Sequence, residues 1–164
     1  MSNKFLGVYA ANRLPREIPR FPCGLIVNSA TDTSTGVHWL AIYFDHNGRG
    51  EFFDSYGREP QFYQPRFFLD LLERSPGGWS YSYRHLQRLT STVCGHYCIY
   101  YLVHRARGFS LKRILSHFTN DRKRNDDLVA AFVNRHFQYG SPTPHCSTKE
   151  QFCRSYNLYH YNLC

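Results

Sequence analysis

Two short apolar stretches on either side of an Asn-Gly pair place the strongest constraint on the fold of this chain. The first stretch runs from 37 to 45 and the second from 50 to 56, with His-Asn-Gly-Arg at 46–49 between them. An Asn-Gly pair between two such stretches predicts an antiparallel hairpin. The length of its loop then decides which side chains share a face of the sheet.

The register of this hairpin decides whether His38 and Asp54 can meet. A two-residue turn pairs His38 with Gly57 and leaves Asp54 on the opposite face. A three-residue loop over 46–48, with its glycine left-handed, pairs His38 with Tyr56 and puts Asp54 diagonally across on the same face. We predict this longer loop, with a bulge, because it also groups four apolar side chains on one face. These are Leu40, Ile42, Phe44 and Phe52.

Cys94 is the candidate nucleophile of the chain. It stands before a long apolar run that predicts a helix ending near Gly108. A helix N-terminus offers positive potential and unpaired N–H groups, which favour the thiolate form of a cysteine. Taken alone, a cysteine in this position is more typical of a small buried core residue.

Three further residues complete a possible catalytic group. His38 could act as a general base, Asp54 could hold its imidazole, and Gln87, seven residues before Cys94, could donate an amide N–H to an oxyanion. Each has an ordinary alternative: a hydrogen-bonded histidine, a turn carboxylate and a surface glutamine. A thiol, an imidazole, a carboxylate and an amide in one chain are together the parts of a cysteine protease.

The remaining pattern predicts an α+β fold with a central, mostly antiparallel sheet flanked by helices. We expect a loop over 1–22 and further strands over 23–30 and 79–86. Helices are expected over 64–73, 94–108, 111–118 and 125–136, with Ser110 and Asn125 at the start of the last two. The length predicts a single domain over 1–138 and a C-terminal tail over 139–164, packed on the domain or partly flexible.

Positive charge is the main compositional signal. Lys and Arg number 20 against 12 acidic residues, a net charge of +8. This balance favours contact with nucleic acid or an acidic partner, although a solvated basic surface gives the same composition. The charge concentrates in the helical half of the chain. The candidate DNA-binding residues are Arg105, Arg107, Lys112, Arg113, Arg122, Lys123 and Arg124.

The six cysteines fit a reducing compartment. We expect no secretory signal and no membrane span, because no apolar run has the required length. We therefore expect free thiols inside the cell. Near the C-terminus, the gaps between the possible zinc ligands match no common zinc module, so we expect no metal site. Those residues are Cys146, Cys153, His160 and Cys164.

Five blocks of sequence carry a family resemblance. They are Phe5–Tyr9, Cys23–Asn28, Gly36–Trp39, Phe53–Gly57 and Gln87 with Cys94-Gly95. In this order they resemble the adenovirus-type maturation cysteine protease family, adenain, and more loosely the proteases that act on ubiquitin-like proteins. The resemblance spans about residues 5–137. It implies His38 as general base, Asp54 as its partner, Gln87 as oxyanion donor and Cys94 as nucleophile.

The resemblance also implies a substrate class. It implies an endopeptidase that cleaves capsid and core precursors during virion maturation, after small residues such as Gly. Trp39, Gly36 and Gly95 are then the expected substrate contacts. The expected setting is the virion and the host nucleus or viral factory, for a monomer from an adenovirus-like or related virus or a virus-like transposon.

Two departures from the family concern the carboxylate and the activator. Adenovirus enzymes usually carry Glu where this chain has Asp54. Their peptide activator is joined by a disulfide to a strand before the Gln, and the corresponding stretch 75–86 has no cysteine here. A disulfide-linked activator is therefore not expected, whereas a non-covalent peptide and DNA remain possible activators. No metal or organic cofactor is implied.

Two other functions stay open from the sequence. One is a protease that removes a ubiquitin-like modifier from its conjugates. The other is a non-catalytic nucleic-acid-binding or capsid-associated protein on a protease-like fold.

Overall fold

The computed structural model describes residues 5–34, 38–63 and 65–137. These residues form a five-stranded sheet in which the strands are ordered as in the chain. The strands are β1 (Phe5–Ala10), β2 (Cys23–Asn28), β3 (Trp39–Phe44), β4 (Gly50–Phe53) and β5 (Trp79–Tyr81). The helices are α1 (Pro65–Leu72), α2 (Cys94–Ala106), α3 (Leu111–Leu115) and α4 (Arg122–Phe137), with short 3-10 helices at Ala11–Arg13 and Pro60–Phe62.

The sheet is mixed. Strands β2, β3 and β4 pair antiparallel, whereas β1 and β5 pair parallel to their neighbours at the two edges. A parallel pair needs a long crossover connection, and residues 11–22 and 54–78 provide the two that are required. The α+β class and the helix-flanked central sheet are confirmed, and the expectation of a mostly antiparallel sheet is corrected to a mixed one.

The hairpin between β3 and β4 has the three-residue loop predicted from the sequence. Ala41 pairs with Phe53 and Phe44 with Gly50. The N–H of Asp45 donates to the carbonyl oxygen of Arg49 at 3.0 Å, which leaves residues 46–48 as the loop. Its glycine, at 48, has a φ of 71°. The predicted register is confirmed, and the four apolar side chains grouped by it lie in one cluster.

Two apolar clusters cover the two faces of the sheet. On one face, Phe68 and Leu72 of α1 share a cluster with alternate strand residues, including Leu25, Leu40, Ile42 and Phe52. On the other face, Tyr97 of α2 and Val129 and Val133 of α4 share a cluster with the intervening strand residues, including Ile26, Ala41 and Phe53. Helix α2 is buried along almost its whole length. Its N-terminal residue is therefore held in place by packing on both sides.

The first 22 residues contain a strand where a loop was expected. Strand β1 pairs with β2, and its register shifts between Phe5 and Gly7, where Gly7 has a φ of 132°. The bulge at this glycine interrupts the two-residue alternation that marks a strand in sequence. The expectation of a loop over all of 1–22 was wrong for Phe5–Ala10.

Helix α4 begins earlier than expected. Asp121, not Asn125, accepts hydrogen bonds from the first-turn N–H groups of Lys123 and Arg124, at 3.0 and 3.1 Å. Asn125 lies inside the helix and is buried. The expected strand over 79–86 is also shorter, because β5 ends at Tyr81. No helix in the described ranges is long and apolar enough to cross a bilayer.

Candidate active site

His38 and Asp54 form a buried pair at one end of the hairpin. His38 Nε2 lies 2.7 Å from Asp54 Oδ1, and their side chains are 7% and 0% exposed. The thiol of Cys94 lies close enough to His38 to raise the pKa of its imidazole. Since Nε2 faces the carboxylate, Nδ1 is the ring nitrogen left for the thiol. His38 and Asp54 thus meet as the register predicted, and Cys94 comes to them from a distant part of the chain.

The turn after β4 surrounds the Asp54 carboxylate with donors. Oδ1 accepts from the N–H of Tyr56 at 2.9 Å, and Oδ2 accepts from the N–H of Arg58 at 3.1 Å. The Tyr63 hydroxyl donates to Oδ2 at 2.6 Å. Burial raises the pKa of the Asp54 carboxyl. Its hydrogen bonds lower this pKa, the bond with His38 most of all, and together they outweigh the effect of burial. The pKa of Asp54 therefore lies below its usual value. The carboxylate is therefore ionised.

His38 is set up to carry a positive charge. Burial lowers its pKa, but hydrogen bonds with Asp54 and Cys94 reverse this effect and raise the pKa to about 9. The ring also stacks on Tyr56, with centroids 4.7 Å apart, and on Tyr63, with centroids 5.9 Å apart. An aromatic face beside an imidazolium is favourable. These contacts hold the ring plane and favour its protonated form at neutral pH.

Gln87 is buried beside this pair and its amide is oriented. Its Oε1 accepts from the Ser55 hydroxyl at 2.7 Å, and its Nε2 donates to the Ser91 carbonyl oxygen at 2.9 Å. The N–H of Gln87 also donates to the Ser55 carbonyl oxygen at 3.1 Å. Ser55 directly follows Asp54, so these bonds hold Gln87 next to the carboxylate turn. A side-chain amide has two N–H donors, and the second is available for an oxyanion.

Cys94 is the first residue of α2. The first N–H groups of a helix have no intrahelical partner, and the preceding Val93 offers no capping side chain. The thiol is nearly buried, at 9% exposure for the residue. Free N–H groups and the helix dipole therefore meet at the sulfur, an arrangement that stabilises negative charge.

The three expected substrate contacts have different positions. Trp39 begins β3 and packs in the same apolar cluster as Cys94. Gly95 is the second residue of α2 and is buried. Gly36 lies outside the described residues. Of the two described residues, Gly95 directly follows the nucleophile in the chain, whereas Trp39 only shares its apolar cluster.

Six of the seven candidate DNA-binding residues are exposed, and Arg105 is not. Its guanidinium pairs with Glu51 at 3.0 Å and lies over the ring of Tyr43, at 4.3 Å from the centroid. Its side chain is only 10% exposed. Arg105 therefore braces α2 against the sheet instead of lying on the basic surface. The exposed residues are Arg107, Lys112, Arg113, Arg122, Lys123 and Arg124.

Two residues of the site were not identified from the sequence. Tyr63 lies nine positions beyond Asp54, next to a 3-10 helix, where no local pattern marks it as a carboxylate partner. Ser55 belongs to the same short block as Asp54, and its position there is the signal that could have identified it.

No group of three potential metal ligands occurs in the described parts of the chain. The C-terminal candidates Cys146, Cys153, His160 and Cys164 lie outside those parts.

Two solved structures of the ASFV pS273R protease, one of them the selenomethionine form, are similar to this chain. Their sequence identities are 26% and 23% and their TM-scores 0.43 and 0.44, over 66% and 69% of this chain. The chain spans only 44% and 43% of their length. No protein-family profile and no curated protein matches it.

Proposed function

We propose that this chain is a cysteine endopeptidase with Cys94 as nucleophile, His38 as general base and acid, Asp54 as the partner of His38 and Gln87 as an oxyanion donor. The observation that carries the proposal is a buried imidazole–carboxylate pair whose imidazole pKa is also raised by a thiol at a helix N-terminus. A purely structural histidine does not require these three features together.

The chemistry follows from this geometry. The Cys94 proton moves to His38, and the thiolate attacks the carbonyl carbon of a peptide bond. The carbonyl π electrons move to the oxygen, which becomes an oxyanion. When the tetrahedral intermediate collapses, the C–N bond breaks and His38 gives its proton to the leaving amine. Water, deprotonated by His38, then attacks the thioester, and the sulfur of Cys94 leaves.

The oxyanion receives two kinds of donor in this mechanism. The N–H of Cys94 lies at the start of α2, and the amide of Gln87 is held by Ser55 and Ser91. Donors fixed in advance stabilise the developing charge without reorganising during the reaction. Asp54 stays ionised throughout and stabilises the imidazolium of His38.

We propose that the substrates are viral precursor proteins cut after small residues such as Gly during virion maturation. The family resemblance supports this substrate class. Trp39, which shares an apolar cluster with Cys94, is proposed as a wall of a narrow site that excludes bulky side chains. DNA contact through the six exposed basic side chains, and activation by a non-covalent peptide, are proposed on the same resemblance and on the net charge of +8.

A direct assay separates the possible substrates. The purified chain is incubated with short Gly-containing peptides and with a ubiquitin-like modifier carrying a Gly-Gly tail and a C-terminal extension. Each assay is run with and without duplex DNA at low salt. We expect cleavage of the peptides by the wild type, none by Cys94→Ala, and labelling of Cys94 by iodoacetamide. Preferential cleavage of the modifier would identify a deconjugating protease instead.

One experimental result would contradict the protease proposal. If the natural precursors are processed equally by the wild type and by Cys94→Ala, the chain is not the protease. Unchanged activity and unchanged mobility with DNA at low salt would remove the DNA proposal and leave the peptidase proposal standing.

A further inference from the structure

Both neighbours of Gln87 are held by consecutive residues of α4. The Asn125 amide Nδ2 donates to the Leu86 carbonyl oxygen at 3.1 Å. On the other side, the Arg88 Nε donates to Asp126 Oδ2 at 3.0 Å. Asn125 and Asp126 are 1% and 3% exposed, although both are polar and lie at the start of a largely exposed helix. Their burial is explained by these bonds to the segment that carries the oxyanion donor.

Tyr97 joins the same group from the helix of the nucleophile. It lies three positions after Cys94 on α2 and is fully buried. Its hydroxyl is 2.9 Å from Asp126 Oδ1 and 3.2 Å from the Leu86 carbonyl oxygen, so its one hydrogen is shared between two acceptors. The hydroxyl therefore links α2, α4 and the residue before Gln87 at one point.

Asn125 is fixed in turn by hydrogen bonds with Thr119, which precedes α4. Its Oδ1 accepts from the N–H of Thr119 at 2.9 Å, and its Nδ2 also donates to the Thr119 carbonyl oxygen at 3.0 Å. The start of α4 cannot slide without breaking these bonds. A buried carboxylate such as that of Asp126 would be costly without its Arg88 and Tyr97 partners.

We propose that Asn125, Asp126 and Tyr97 are positioning residues that set the distance between the Gln87 amide and the start of α2. This inference rests on the proposed function, because it assigns the network to the oxyanion site of that reaction. The two donors to the oxyanion come from different segments, 86–91 and α2, and these three side chains connect them. A displacement of about 1 Å at a reacting centre can cost about 100-fold in rate.

Asp126→Asn is the test variant and Asp127→Asn is its matched control. The same chemical change falls on adjacent residues, but Asp127 is 63% exposed and pairs only with Lys123 among the interactions of the described residues. We expect Asp126→Asn to lower kcat by between about 10- and about 100-fold with little change in KM. We expect Asp127→Asn to match the wild type.

Two further readouts distinguish positioning from general loosening of the fold. Alkylation of Cys94 by iodoacetamide displaces iodide and forms no oxyanion, so its rate should stay unchanged in Asp126→Asn. Binding of a peptide aldehyde forms an oxygen-bearing tetrahedral adduct with the thiol, so its affinity should fall in parallel with kcat. Tyr97→Phe removes only the hydroxyl, and we expect the same pattern with a smaller loss.

The inference is overturned if hydrolysis and alkylation fall by the same factor, or if Asp126→Asn keeps the full kcat. If Asp126→Asn does not fold, the same comparison in Tyr97→Phe decides. Failure of the proposed function looks different. In that case the wild type itself neither cleaves a peptide nor depends on Cys94.

Discussion

The Tyr63 hydroxyl donates a 2.6 Å hydrogen bond to Asp54 Oδ2, the carboxylate oxygen that does not face His38. The bond holds the carboxylate oxygen that His38 leaves free. The Tyr63 ring also stacks on the His38 ring. A single tyrosine thus orients both members of the pair.

Tyr63→Phe keeps the ring and removes only this hydrogen bond. The bond lowers the pKa of Asp54, so its loss should raise that pKa and move the acid limb of the pH–activity profile to higher pH. Hydrogen bonds to charged groups contribute about 1.5–3 kcal/mol, and we expect kcat/KM at neutral pH to fall by about tenfold. The measurement is a pH–rate profile of both proteins.

Tyr56→Phe is the control for this prediction. Tyr56 also stacks on His38, but its donor to Asp54 is its backbone N–H, which the substitution retains. An acid limb that moves equally in both variants would contradict the role assigned to the Tyr63 hydroxyl.

The His38 pKa predicts a specific dependence of stability on pH. Its pKa rises from 6.5 in the unfolded chain to about 9 in the folded protein. The protonated imidazole therefore contributes stability that is fully present below pH 6.5 and lost as the pH rises through about 9. One pKa unit corresponds to about 1.4 kcal/mol, so we expect the wild type to lose a few kcal/mol relative to His38→Gln between these limits.

Urea unfolding of the two proteins from pH 6 to pH 9.5 measures this difference. A stability difference that stays constant over this window would show that His38 is not charged in the folded state. Below this pH window, the dependence of stability on pH that Asp54 causes has the opposite sign to that of His38. Its lowered pKa contributes stability that is lost as the pH falls through its folded pKa.

Gln87→Ala should separate the two kinds of reactivity of Cys94. Removal of one oxyanion donor typically lowers kcat by about 10²–10³, whereas alkylation by iodoacetamide needs no oxyanion donor. We expect hydrolysis to fall by that factor and the alkylation rate to stay unchanged. Ser55→Ala removes only the partner of Gln87 Oε1 and should cost less. Parallel losses of hydrolysis and alkylation in Gln87→Ala would argue that it supports the fold alone.

Replacement of Arg105 and of Arg107 by alanine should have different effects on the free energy of unfolding, although both arginines lie in the same helical region. Arg105→Ala leaves Glu51 without its ion-pair partner in a nearly buried position, and we expect a loss of about 3 kcal/mol in unfolding free energy. Arg107 is exposed, so Arg107→Ala should change stability by less than about 0.5 kcal/mol. Urea unfolding of both variants checks these values.

For binding of duplex DNA, we expect Arg107→Ala to have the larger effect and Arg105→Ala the smaller one. If Arg107 contacts a phosphate, its removal should reduce the slope of log affinity against log salt by about 1, while Arg105→Ala leaves the slope unchanged. An altered slope for Arg105→Ala together with an unaltered one for Arg107→Ala would contradict the positions described above.

The hairpin and the His38–Asp54 pair could be predicted from sequence because their information is local. Loop length and alternation within 37–56 fix the register, and the register fixes which residues share a face. The start of a helix at Cys94 was equally local, since a polar segment gives way there to an apolar run. The chemistry of an imidazole, a carboxylate and a thiol then limited the roles that His38, Asp54 and Cys94 could have.

The features that were not predicted from the sequence depend on contacts between segments that are distant in the chain. They are the start of α4, strand β1 and the role of Tyr63. Asn125 and Asp121 are both good N-cap residues, and only the buried contacts of Asn125 with Leu86 and Thr119 decide between them. Strand β1 owes its existence to pairing with β2 across a crossover. Tyr63 reaches Asp54 because of the path of the chain through the 3-10 helix at Pro60–Phe62.

The three-residue loop of the hairpin makes the chemistry at His38 sensitive to the number of residues in the loop more than to the side chains at positions 46 and 47. The loop lies at the far end of β3 and β4 from the pair. A deletion of one residue there touches no reacting group, yet it would favour the register that turns Asp54 to the opposite face. Among homologous chains with this pair, substitutions at loop positions 46 and 47 should therefore be common, whereas Gly48, with its left-handed φ, and the length of the loop should rarely change.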